Sequence, residues 1–356
     1  MKIQIAILIA LGAGLLAGCN NGGSAPAAST AGSPASTSTA SKGGKPLLVG
    51  IVFDSGGRGD KSFNDSAYAG IERAEKDLGI QKPKLIDSKS EKDYEPNLTA
   101  MADAGCDVVF AVGNSQKNAL EAVAPKYPNI KFAIIDNVVD APNVRSIEFN
   151  EEQGSFLAGY LAALVDKTGK IGFVGGKTMD LIKKFETGYR AGALTVNPKI
   201  EVTAKYTESW DDTALGKASA SVLFNDGADV VYHAAGRCGL GVIDAAKDAG
   251  KYAIGVDSDQ DDVAPGVVLT SMIKHVDEAV YQTIKDVQDN TFSPGVKQYD
   301  LKSNGVGLSD FKYTKDKIGQ ANIDKLNKVA DEIKSGKIVV PSKPDELDAY
   351  LKTVKR

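Results

Sequence analysis

The sequence predicts an α/β protein of two similar lobes, each a parallel sheet flanked by helices. From Leu47 onward, short apolar runs alternate with longer segments of helical period, the pattern of a parallel sheet covered on both faces. The same alternation restarts near Asn150, so two sheets stand in tandem. About 310 residues follow the polar N-terminal stretch, more than one core commonly organises. The 356-residue chain has a net charge of -4 and neither a basic run nor a zinc-ligand spacing, which argues against a nucleic-acid partner.

Lys2 opens a leader whose apolar run, residues 3–16, ends in Leu16-Ala17-Gly18-Cys19. Small residues before a cysteine make 1–19 a secretory signal with a lipobox, and the run is too short to span a bilayer. The mature chain is expected to start at Cys19, acylated on its thiol and amino group, with each buried methylene adding roughly 0.8 kcal/mol of membrane affinity. A plain signal peptide with an incidental cysteine is the alternative. Residues 20–45, almost wholly Asn, Gly, Ser, Ala, Thr and Pro, form the expected disordered tether. The folded body is thus expected on the outer side of the cell membrane, held by lipid alone.

In the first half, strands are expected at 47–53, 84–86, 107–112 and 130–135, and helices at 65–78, 95–104 and 115–124. Residues 144–149 lead into the second half. Its strands are expected at 170–174, 200–206, 229–232 and 252–256, and its helices at 151–165, 180–196, 213–224 and 240–249. A strand at 267–271 and a helix at 276–287 follow; the chain from Lys297 mixes a short strand pattern with a helix near 323–333. Cys106 and Cys238 each fall inside an α/β repeat and read as buried free thiols rather than a disulfide.

Ligands of such sheets collect beyond the carboxyl ends of the strands. Those positions hold Asp54, Gly113-Asn114, Asp136, Trp210, Gly236 and Asp257. The run Phe53-Asp54-Ser55-Gly56-Gly57-Arg58-Gly59-Asp60-Lys61-Ser62-Phe63-Asn64 is the most informative. Its glycines permit an irregular loop after a buried strand, which places Phe63 and Asn64 at the start of the next helix. A ring can stack on a heterocycle while Asp54 accepts from its edge and Asn64 donates to a carbonyl. A hydrophobic staple and a helix cap are the structural alternative for the same pair. Residues 172–178 look like a phosphate loop but lack its first glycine, and His233 and His275 sit in no acid–base or metal pattern. No catalytic residue, cofactor or metal is called for.

The glycine-rich run resembles the opening motif of the basic membrane protein family of ABC-transporter lipoproteins, the purine nucleoside receptor A type. The likeness extends from about Leu47 to Ile338, through Ile135-Asp136, the stretch from Glu151 to Gly159, that from Phe185 to Ala193, Ala235-Gly236, the stretch from Gly255 to Gln260, and that from Thr270 to Lys274. The resemblance implies a two-lobed type I periplasmic-binding-protein fold with the ligand in the interlobe cleft. It implies hinge crossings near Asn150, Lys274 and Tyr299. Lobe 1 then comprises 46–149 plus about 275–299, lobe 2 comprises 150–274 plus about 300–340, and 341–356 is a C-terminal tail.

It further implies a purine nucleoside, such as inosine, guanosine or adenosine, delivered to an ABC permease and its ATPase. Phe63 would stack on the base and Asn64 and Asp54 address its edge, while Asp136, Gly236, Asp257 and Lys274 meet the ribose and its surroundings. Where the family has a Ser-Phe pair for the second face, this chain has Ser209-Trp210. Two other readings stay open: the same fold binding a sugar or other small ligand, and a metal-dependent nucleoside hydrolase using Asp54 and Asp60.

Overall fold

The computed structural model describes residues 45–354; Cys19 and the expected signal and tether lie outside them, apart from Lys45. The strands of the first sheet are β1 (Val49–Phe53), β2 (Lys84–Asp87), β3 (Val108–Val112), β4 (Lys131–Ile135) and β5 (Val144–Phe149). The second sheet holds β6 (Lys170–Gly175), β7 (Glu201–Tyr206), β8 (Val230–Ala234), β9 (Tyr252–Asp257) and β10 (Val268–Lys274). Two later strands return to the sheets, β11 (Gly295–Tyr299) beside β5 and β12 (Val306–Leu308) beside β10. The orders are β11-β5-β4-β3-β1-β2 and β12-β10-β9-β8-β6-β7, so one topology is used twice. Every pairing is parallel except β10 with β12, the single departure from two all-parallel sheets.

The central strands are continuous apolar runs because helices cover both faces. VGIVF in β1, VVFAV in β3 and VVYHA in β8 are buried at every residue. In the first lobe the helices are α1 (Phe63–Leu78), α2 (Tyr94–Asp103) and α3 (Lys117–Val123). In the second they are α4 (Glu151–Val165), α5 (Asp180–Val196), α6 (Thr213–Asn225) and α7 (Cys238–Ala249). Helix α1 buries Ala67, Gly70, Ile71 and Ala74, spaced as one helical face requires, and stops at Gly79, whose φ of 64° the left-handed cap demands. Helices α4 and α5 pack closely: a methyl at Gly159 would lie 1.9 Å from the Tyr189 carbonyl oxygen.

The chain passes between the sheets after β5, after β10 and after β11. Helix α8 (Val276–Gln288) packs on α1 in the first lobe, whereas α10 (Gln320–Lys334), preceded by the single turn α9 (Lys315–Ile318), packs on α4. At the crossings the Asn150 amide donates to the Tyr299 carbonyl (2.8 Å) and the His275 amide to that of Gly305 (2.9 Å). Residues 341–356, expected as a tail, instead carry helix α11 (Pro344–Val354). It docks on α5, with the Tyr350 ring edge-on to Phe156 and its hydroxyl 2.9 Å from that of Thr195. The apolar period of this short segment was the signal missed.

Candidate functional site

The loop after β1 builds the first wall. Asp60 accepts from the backbone amides of Ser62 (2.9 Å), Asn64 (2.9 Å) and Asp65 (3.1 Å), and so caps α1. That cap leaves Phe63 as the first helical residue, half-buried at a cavity between the lobes. Asp54 accepts from the Gly56 amide (2.9 Å) and from Asn64 Nδ2 (3.0 Å). Asn64 Nδ2 also reaches Asp60 (3.2 Å), leaving Oδ1 buried without a partner. The Asn64 amide thus turns its N–H groups toward Asp54 and Asp60 rather than into the cavity. Two carboxylates claim its N–H groups, and what remains is an acceptor. Burial pushes Asp54 up to about 6, against the Asn64 and backbone hydrogen bonds that favour its charge.

Trp210 forms the facing wall. Its indole packs against Gly176, where an added Cβ would come within 2.1 Å of Cζ3. The phosphate-loop look-alike is thus the end of β6 and a bare backbone seat for the ring. Lys177, its lysine, reaches across to Glu91 of the first lobe (3.0 Å). Gly236, at a φ of 55°, turns the chain after β8 beside the Trp210 carbonyl. The first two turns of α5 add an apolar wall of Leu181, Ile182 and Phe185, next to Met179. These were missed, although they follow β6 as Phe63 follows β1.

The charged end lies under the hinge. Asp136 ends the β4 run at a φ of 70° and Asp257 ends β9 at 64°, left-handed conformations costly for residues with a side chain. Lys274, 1% exposed, places Nζ 2.6 Å from Asp136 Oδ2 and 3.0 Å from Glu151 Oε1. It thus balances Asp136 directly, while its second ion-pair partner is Glu151, not Asp257. Burial opposes its charge, but Asp136, Glu151 and Asp257 outweigh that and hold the ammonium protonated. Burial raises Asp136 to about 6 and Asp257 to about 7; Lys274 recovers part of the loss in each case. Oδ1 of Asp136 is buried and unpartnered.

All eight residues singled out from the sequence, Asp54, Phe63, Asn64, Asp136, Trp210, Gly236, Asp257 and Lys274, line this one cavity. Its lobes are latched together. Ser62 Oγ donates to the Asp257 carboxylate, Ser258 Oγ to the Ser62 carbonyl (3.1 Å), Gln260 Nε2 to the Lys61 carbonyl (3.0 Å) and Arg237 Nη2 to the Arg58 carbonyl (2.6 Å). Cys106 and Cys238 are buried and free.

Residues 47–344 match the family model of PnrA-like ABC transporter substrate-binding proteins. The chain belongs to this family. It is 36% identical to the CD4+ T-cell-stimulating antigen of Listeria monocytogenes, over 85% of this chain and 90% of that protein. It is equally 36% identical to the ABC transporter nucleoside-binding protein BmpA of Lactococcus lactis, over 83% and 90%. Its fold superposes with a TM-score of 0.79 on an ABC transporter solute-binding protein of Aeropyrum pernix, 30% identical, covering 87% of this chain and 98% of that one. A PnrA-like substrate-binding protein is the extracytoplasmic ligand-capturing component of an ABC transporter, working with permease and ATPase subunits, and not an enzyme. Among the described residues no helix is long and apolar enough to cross a membrane.

The arrangement is built to hold rather than to react. Asp60, on which a metal-dependent hydrolase would draw, has both oxygens engaged by the start of α1. Lys274, the cation lining the cavity, already faces two carboxylates, so a ligand bearing a phosphate would meet net negative charge.

Proposed function

We propose that this chain is the lipid-anchored receptor for a purine nucleoside, carried on Cys19 and feeding an importer. The observation that carries the reading is the pairing of Phe63 and Trp210, from opposite lobes, on one cavity whose two ends differ in chemistry. At one end Asp54 and the free Asn64 Oδ1 are acceptors, suited to the N–H groups on a purine edge. At the other, Asp136, Asp257 and Lys274 suit vicinal hydroxyls. The name of the Lactococcus lactis relative supports the same ligand class.

Trp210 is the only tryptophan of the chain, so its emission reports this cavity. Inosine, guanosine or adenosine added to the soluble body should change that emission saturably, and Phe63→Ala should weaken binding about ten-fold or more, since base stacking contributes roughly 1–3 kcal/mol. Flat emission with all three nucleosides at saturating concentration overturns the reading. The anchor is tested separately: Cys19→Ala should release the protein from the membrane fraction of cells.

A further inference from the structure

We propose that Glu151 is a positioning residue: it fixes the Lys274 ammonium at the hydroxyl-binding end of the cavity, and Lys184 fixes Glu151 in turn. The proposal rests on the reading that Lys274 meets the sugar of the ligand. Glu151 does not line the cavity, so it can act only through Lys274.

The chain of contacts alternates in sign. Lys184 Nζ donates to the Phe149 carbonyl (2.5 Å) and pairs with Glu151 Oε2 (2.8 Å); Lys274 Nζ then lies between Glu151 Oε1 (3.0 Å) and Asp136 Oδ2 (2.6 Å). Glu152 sits 3.5 Å from Lys184 on its other side. Glu151 is 1% exposed and opens α4, where unpaired backbone amides favour a carboxylate. It is therefore an anion held from three directions, by a helix end and two lysines.

Lys274 needs such an anchor. Its Nζ is ringed by Phe149 (5.0 Å), Phe63 (5.2 Å) and Phe185 (5.6 Å), which leave little room for water to direct it. An ammonium has three donors, and its two carboxylates take two. Asp136 belongs to the first lobe, whereas Lys274 ends a strand of the second. With Asp136 as sole partner, the ammonium would follow that carboxylate and turn its donors onto it. Glu151, in the same lobe as Lys274, holds one donor back and leaves the third aimed at the cavity.

A buried ion pair that serves stability alone would weaken all ligands alike when broken, so the decisive readout is selectivity. The ratio of dissociation constants for 2′,3′-dideoxyinosine and inosine should be large in the unaltered protein. It should shrink by about ten-fold or more in Glu151→Gln, because hydrogen bonds to charged groups are worth roughly 1.5–3 kcal/mol. Glu151→Asp should recover part of it, and Lys184→Met should shrink it in the same direction; either carries the test should Glu151→Gln not fold. A ratio unchanged in these variants, with inosine still bound by the unaltered protein, overturns the positioning role alone. Should the unaltered protein prefer guanosine or adenosine, the same ratio is taken with that nucleoside and its 2′,3′-dideoxy analogue; failure to bind any of the three overturns the nucleoside reading and this proposal with it.

Discussion

Asp136 and Asp257 occupy equivalent places in the two lobes, at the ends of β4 and β9, and both are held at positive φ, 70° and 64°. The repeated topology therefore delivers a matched pair of carboxylates to one cavity, from opposite sides. Both are buried and both are pushed toward neutral pH, about 6 and about 7. Such a pair is costly to the unliganded protein, and the cost is measurable.

Asp257 makes the cost testable. Its folded value of about 7 lies above its ordinary 3.8, chiefly through burial. Between those two values the folded state retains a proton that the unfolded chain has lost, so stability falls as pH rises through the window and the penalty is complete above about 7. Asp257→Asn removes it. Asparagine tolerates a left-handed φ and can still accept from Ser62. The unliganded variant should melt higher than the unaltered protein at pH 8, by about 2 °C for each kcal/mol regained. The gap should close toward pH 4. Identical melting curves at both pH values would refute the burial argument.

Asp54 should contribute to the pH dependence of binding. A ligand that donates an N–H to this carboxylate binds its ionised form, and the site loses that form as pH drops through about 6. Affinity for guanosine should fall steadily from pH 8 to pH 5. Asp54→Asn should flatten part of the profile, with Asp136 and Asp257 responsible for the remaining slope. A titration by Trp210 emission at several pH values measures it; equal slopes in both proteins would remove Asp54 from the base edge.

The sheets were legible because buried parallel strands have to be unbroken apolar runs, and the cavity because ligands gather where those strands end. Asp54, Asp136, Trp210, Gly236 and Asp257 were found by that rule alone. Phe63, Asn64 and Lys274 needed the loop chemistry or the resemblance as well. Glu151 and Lys184 escaped, since an ion pair formed between a helix start and another helix leaves no spacing in the sequence. The direction of the Asn64 amide escaped for a similar reason. It depends on Asp60, whose part as a helix cap appears only when the loop closes on itself. Helix α11 was passed over as a tail because its apolar stripe is short.

Gly176 tests whether the indole seat matters. The position has no need of unusual backbone angles; what it needs is the absence of a side chain, because a methyl there would overlap Trp210 Cζ3 at 2.1 Å. In Gly176→Ala the indole has to move, since backbone fixes the other partner. Trp210 emission should shift before any ligand is added, and nucleoside affinity should drop by roughly ten-fold, the lower part of the range for losing a stacked base. Unaltered affinity with shifted emission would mean that the ring is not a ligand platform.

Ser62 should link capture to closure. Its hydroxyl comes from the first lobe and donates to Asp257 of the second, whose carboxylate also lines the cavity. A ligand hydroxyl on Asp257 would add to the same cross-cleft bond, so the lobes and the ligand share one acceptor. Ser62→Ala deletes the protein's part of that arrangement while the neighbouring Gln260 and Ser258 bonds to the Lys61 and Ser62 carbonyls stay. The closed state then loses one hydrogen bond, about 0.5–1.5 kcal/mol. Because the bond forms only after the lobes meet, the loss should appear as a dissociation rate raised about two- to ten-fold, with association little changed. Stopped-flow emission from Trp210 separates the two rates. A slower association with unchanged dissociation would place Ser62 in the encounter step and not in the latch.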